Sequence, residues 1–89
     1  MEIKKDFVLE VHSENGFSVL NRMINIFNRR RVRIKRLLAT EMPGDYKNGM
    51  ASFIVHATEE NMERVRLQLE KLIEVERTDV REMTLNHQS

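Results

Sequence analysis

Ile3, Phe7, Leu9 and Val11 fall on odd positions while Lys4, Asp6 and Glu10 fall on even ones, and a few residues later the apolar spacing changes to Leu20, Met23, Ile24 and Phe27. A period of two marks a half-buried strand, and a period of about 3.6 marks an amphipathic helix. Lys5 and Val8 interrupt the first pattern without hiding it. The spacing therefore predicts a strand over residues 3–11 and a helix over Phe17 to Arg30, joined through Glu14-Asn15-Gly16. Val32, Ile34 and Leu38 resume alternation, with a bend or bulge expected where Leu37-Leu38-Ala39 become uniformly apolar. Pro43-Gly44-Asp45-Tyr46-Lys47-Asn48-Gly49 reads as a hairpin loop, because Pro, Gly, Asn and Asp are the residues that turns require. A third strand follows from Met50 to Ala57, with Phe53 and Val55 on one face and Ser52 and His56 on the other.

Thr58 is suited to cap a second helix, and Glu59 and Glu60 suit the positive end of its dipole. Met62, Val65, Leu69, Leu72 and Ile73 form its expected buried stripe, while Leu67 falls off that stripe and should face solvent or another protein. The last strand spans roughly Val75 to Met83. The order strand, helix, strand, strand, helix, strand folds, with right-handed crossovers, into an α+β ferredoxin-like domain: a four-stranded antiparallel sheet with both helices on one face. A single domain over residues 1–83 and a C-terminal tail over 84–89 are expected. The other sheet face and the edge strands remain open, and a small domain with an uncovered edge commonly pairs with a copy of itself.

Composition narrows the functions. A chain of 89 residues with no Cys has no disulfide, thiolate metal site or cysteine nucleophile, and too little core to be robust without a partner. The first residues lack the apolar stretch of a signal peptide, which leaves the cytoplasm as the expected compartment. Residues 1–57 carry ten Lys/Arg against six Asp/Glu, and residues 58–89 carry five against eight, so the surface is bipolar rather than basic.

No catalytic constellation is present, and no cofactor or metal is expected. His12, His56 and His87 have no ligand spacing and read as solvated histidines. Ser13 and Ser18 lack a base and read as helix-capping residues. The turn Glu14-Asn15-Gly16-Phe17-Ser18 is the place where small-molecule chemistry could sit. Unpaired backbone N–H groups at a helix start can hold a carboxylate, and Asn15 either adds polar contacts to such a ligand or simply caps the helix. Arg29-Arg30-Arg31-Val32-Arg33-Ile34-Lys35-Arg36 packs six cations into eight positions. It reads as a helix C-terminus followed by a polar strand face, or as a surface for an acidic partner or phosphate.

Glu14-Asn15, then Ser18-Val19-Leu20, Arg22, Ile24, Phe27, Arg30, Ile34 and Leu37, resemble the opening motif E-N-x-x-G-x-L-x-R and R-G-x-N-I-x-S-L of acetolactate synthase (acetohydroxyacid synthase) small regulatory subunits. Gln68-Leu69-x-Lys71-Leu72-Ile73-x-Val75 is similar to their Q-L-x-K-L-[IV]-x-V run. The resemblance implies the ACT fold in a short, ACT-only form, and a homodimer binding amino acids between chains. It also implies a non-catalytic partner that activates the thiamine-diphosphate-dependent catalytic subunit of branched-chain amino acid biosynthesis, with valine as feedback effector. The effector site it implies is Asn15, Gly16, Phe17, Ser18, Val19 and Leu20 of one chain with Arg33 and Ile34 of the other. Ser18 stands in place of the motif's helix-entry Gly, and Arg31 and Arg33 in place of its later Gly and Asn. Two guanidinium groups there would either fill the pocket or bind a ligand carboxylate.

Two other readings compete with this one. A free-standing amino-acid sensor controlling another protein would have the same fold. An RNA-binding module shares the strand order, but it needs stacking aromatics on the open sheet face, and alternation turns Phe7 and Phe53 toward the helices instead.

Overall fold

Phe7, Leu9 and Val11 lie opposite Val55, Phe53 and Ala51 in an antiparallel ladder, so one face of two central strands is a continuous apolar surface. In the computed structural model, which describes residues 3–83, this pair is the middle of a four-stranded sheet. The elements are β1 (Lys4–Glu14), α1 (Phe17–Arg29), β2 (Arg33–Met42), β3 (Asp45–Thr58), α2 (Glu59–Glu70) and β4 (Val75–Glu82). Spatial order is β2-β3-β1-β4, all antiparallel, which is the expected ferredoxin-like topology. Val19, Met23, Ile26 and Phe27 of α1 and Met62, Val65 and Leu69 of α2 join the same core, so both helices cover that one face. Phe27 and Phe53 meet at its centre with ring centroids 4.6 Å apart.

Local chemistry explains the boundaries. Thr58 Oγ1 accepts from the Asn61 backbone N–H at 3.1 Å, the expected cap of α2. The end of α1 is more unusual. Arg31 N–H donates to Asn28 C=O at 3.0 Å and Val32 N–H to Phe27 C=O at 3.0 Å, the two bonds of a Schellman motif, and Val32 is buried beneath them. Its left-handed position, φ 58°, is occupied by Arg31 rather than glycine. A non-glycine residue pays roughly 1–2 kcal/mol there, part of which a glycine gives back as lost chain entropy. Arg31→Gly is therefore expected to stabilise the fold by about 1 kcal/mol, raising the melting temperature by about 4–8 °C. A lower melting temperature would refute that reading of the motif.

Three expectations need correction. Ile73 is 90% exposed rather than part of the buried stripe, because α2 ends at Glu70 and helical spacing no longer governs a residue three positions later. The reversal between β2 and β3 is confined to Pro43-Gly44; Asp45 to Gly49 already belong to β3. The turn-forming residues there build a bulge instead: Tyr46, Lys47 and Asn48 have no partner in β2, and the Asp45 carboxylate accepts from the Lys47 N–H and the Asn48 amide. The break in β2 lies at Lys35, not at Leu37-Leu38-Ala39, which pair regularly with Phe53, Ser52 and Ala51. The strands β1 and β3 are also longer than alternation alone indicated. Leu67 is exposed, as its position off the stripe required. The expected tail, Thr84 to Ser89, and His87 lie outside the described residues.

Three carboxylates are held below the usual range: Asp6 chiefly by a hydrogen bond from Lys35 and then one from His56, Glu63 by Arg66, and Glu74 by Arg22. A carboxylate depressed in the folded state stabilises the fold above its unfolded pKa of about 4. That contribution is lost as pH falls toward the folded value, because the unfolded chain takes up protons first. Urea midpoints are expected to decline from about pH 4 downward, and Asp6→Asn should flatten the decline; an unchanged slope would remove Asp6 from the account.

Candidate functional site

Where β1 gives way to α1, Gly16 adopts φ 152°, ψ 152°, a conformation reserved in practice for glycine. It turns the chain so that α1 starts directly above the sheet. Gly16 is the N-cap, and among the described residues no side chain caps the helix; Leu20 N–H makes the first intrahelical bond, to Gly16 C=O at 3.1 Å. The capping roles expected for Ser13, Ser18 and Asn15 are thus unfilled. Ser13 Oγ donates to Glu14 C=O at 3.0 Å. Asn15 serves as a latch: its backbone N–H donates to Lys47 C=O at 2.9 Å and its amide Nδ2 to Tyr46 C=O at 3.1 Å. That fastens the hairpin bulge to the start of α1.

Beneath the uncapped helix end lies a cleft of about 340 Å³. It exists because the helix-facing positions at this end of the sheet are small: Ala39, Gly49 and Ala51 form its floor where Leu9 and Phe53 fill the same layer further along. Leu20 and Met23 roof it, and Phe17, 86% exposed, stands at the mouth. Glu14 and Glu41 contribute to the rim, and no Lys or Arg lines the cleft among the described residues. The positive feature is the helix start itself, with its free N–H groups and dipole. Such a site can hold a small molecule with a carboxylate at one end, an apolar body, and a cationic group turned toward the glutamates.

Of the residues expected at an effector site, Asn15, Gly16, Phe17 and Leu20 line this cleft. Ser18 is exposed on the first turn and Val19 is buried in the core. Arg33 and Ile34 begin β2, opposite His56 and Val55, about 13–17 Å along the strand from Ala39 and Ala51 of the cleft at 3.3 Å per residue. Gly49, Ala39 and Ala51 escaped sequence reading. The signal that could have found them is the run of small residues at alternating positions across two neighbouring strands.

The cationic segment divides among several tasks. Arg29 sits in the last turn of α1, Arg30 reaches Gln68 on α2, and Asn61 of α2 donates to Arg30 C=O at 3.0 Å. The bulge at Lys35 sends its ammonium to the far face of the sheet, 2.6 Å from Asp6, whose other oxygen lies 2.7 Å from His56 Nδ1. His56 is therefore a paired ring rather than a solvated one. Phe7 and Phe53 are in the core, which leaves the open face without the stacking rings an RNA-recognition sheet needs. Among the described residues, no three His, Asp or Glu side chains are grouped to hold a metal ion.

A family model described as the ACT domain matches residues 16–78, which covers both helices and the two strands between them. The chain belongs to the ACT domain family. ACT domains are regulatory, amino-acid-sensing folds. No curated protein sequence matches the chain. Among solved structures, the ACT domain of GTP pyrophosphokinase from Chlorobium tepidum superposes with a TM-score of 0.73 at 8% identity, covering 88% of this chain and 99% of that one. An uncharacterized protein of Thermotoga maritima gives 0.74 at 10% identity over 92% of this chain and 100% of that one. A homoserine dehydrogenase from Thiobacillus denitrificans gives 0.76 at 12% identity over 91% of this chain. This ACT domain spans 18% of the length of that dehydrogenase. At these identities the likeness establishes the fold. No helix of the ACT domain is long and apolar enough to cross a membrane among the described residues.

Proposed function

We propose that this ACT domain is a regulatory subunit that binds and activates an acetolactate synthase catalytic subunit, and that its cleft takes a branched-chain amino acid as effector. The observation that carries the acetolactate synthase reading is the run Gln68-Leu69-x-Lys71-Leu72-Ile73-x-Val75 together with the Glu14 to Leu37 segment. The two runs touch in the fold, where Arg30 Nε donates a long 3.5 Å hydrogen bond to Gln68 Oε1. The cleft supports the effector class: an uncapped helix start for a carboxylate, glutamates for an ammonium, and an apolar interior for an aliphatic side chain.

A homodimer formed along the free edge of β2 would complete the site. Antiparallel pairing about Leu37, with Lys35 left bulged, would lay Ile34 of a second copy beside Ala39 and Arg33 beside Thr40, two residues that line the cleft. That arrangement reconciles Arg33 and Ile34 with a site from which they are distant within one chain. An effector bound across such a pair couples to the catalytic subunit by favouring one arrangement of the pair over another.

The test mixes the purified chain with the acetolactate synthase catalytic subunit and follows acetolactate formation with and without valine, leucine and isoleucine. Co-elution and a raised rate are expected. An unchanged rate without co-elution removes this reading, and tight amino-acid binding in the same preparation would then favour a sensor serving a different protein.

A further inference from the structure

We propose that the sheet face turned away from the helices is a self-association surface, on which two copies of this chain stack face to face. Four charges on this face carry the argument. Glu10 on β1 lies directly opposite Asp79 on β4, so two acids stand side by side in register, an arrangement that costs stability in an isolated sheet. Neither has a hydrogen-bond or ion-pair partner among the described residues. The neighbouring row holds Arg36, opposite Ile54, and Arg81, opposite Val8, and these two guanidinium groups are likewise unpartnered among the described residues.

Between the charges lies an apolar patch. Val8 is 9% exposed although no helix covers it, Ile54 is half-buried, and Leu38 is 53% exposed. Rows of one face are two residues apart along the strands, about 7 Å. A two-fold axis lying between two stacked sheets, running across the strands between these rows, sets each row against the other row of the second copy. Arg81 then meets Asp79 and Glu10 of the second copy twice over, and the aliphatic stem of Arg36 covers Leu38 of that copy. A second copy thus sets a guanidinium against each copy's acidic pair and an acidic pair against each copy's Arg81, which a wholly acidic or wholly basic partner cannot do. This contact uses the sheet face and is independent of the β2 edge, so both contacts together would give a tetramer.

Sedimentation equilibrium and light scattering on the wild-type chain, Arg81→Asp, Asp79→Arg and the double variant test this, with circular dichroism and melting temperature confirming the fold of each. Both positions are exposed on an edge strand, so folding is expected to survive. Each single reversal sets like charges across the interface and should weaken the association by about a hundredfold. The double exchange should restore it, and raised salt should weaken the wild-type association. A monomer at all concentrations, a dimer indifferent to every variant as an edge-paired dimer would be, or singles that dissociate without rescue in the double exchange would each overturn the proposal.

Discussion

Replacing Phe53 by Ala removes about 4 kcal/mol of stability, because truncating a buried Phe costs both its transfer free energy and the cavity it leaves. Phe53 has no exposed surface, stacks on Phe27 at 4.6 Å, and lies opposite Leu9 and Leu37 in the two neighbouring strands. The loss is therefore felt by both helices and three strands. A domain of this size has a total stability of only about 5–10 kcal/mol, so the expected fall in melting temperature is about 20 °C or more. Leu67→Ala, at an exposed site of the same apolar chemistry, should change stability by less than about 0.5 kcal/mol. A fall of only a few degrees for Phe53→Ala would show that the core does not centre on this ring.

The second large effect belongs to Gly49. A Cβ built there would lie 2.9 Å from Thr40 C=O, closer than real side chains approach, and 3.1 Å from Asn15 Oδ1, a tight contact. Thr40 offers backbone and Asn15 is held by two hydrogen bonds to the hairpin, so neither can retreat cheaply. Gly49→Ala is expected to cost about 1–3 kcal/mol, the usual range for overpacking. On the effector reading it should also weaken branched-chain amino acid binding at least about tenfold, because the strain falls on the floor of the cleft and on the latch beside it. Ser52→Ala, on the opposite sheet face, provides the control. Calorimetry that gives equal affinities for Gly49→Ala and the parent chain would place the ligand elsewhere.

Much of this architecture was legible in the sequence for physical reasons that can be named. The alternation of Phe7, Leu9 and Val11 and the helical spacing of Leu20, Met23 and Phe27 report burial directly, since a residue that faces the core must be apolar whatever its neighbours are. Thr58 was legible because capping is a local event decided within one turn. What was hidden depends on distant parts of the chain. Asn15 looks like a cap or a ligand contact until the hairpin tip arrives beside it, and the turn chemistry of Asp45 to Asn48 does not say whether it reverses a chain or bulges it. The cleft was half visible: Gly16 and Leu20 belong to one local segment, whereas Ala39, Gly49 and Ala51 become its floor only through strand register. Arg31 shows a different limit, because its left-handed backbone is dictated by the helix end and cannot be seen in the residue that occupies it.

The extra residue at Lys35 matters for what the outermost strand does after folding. A straight, unbroken border of free backbone groups is a template on which any other extended chain can pair. An interruption placed near one end, with a charged side chain bound to Asp6 across the sheet, breaks that template, since the bulged residue offers no regular ladder position. The outer border is thereby blunted against unselective strand pairing.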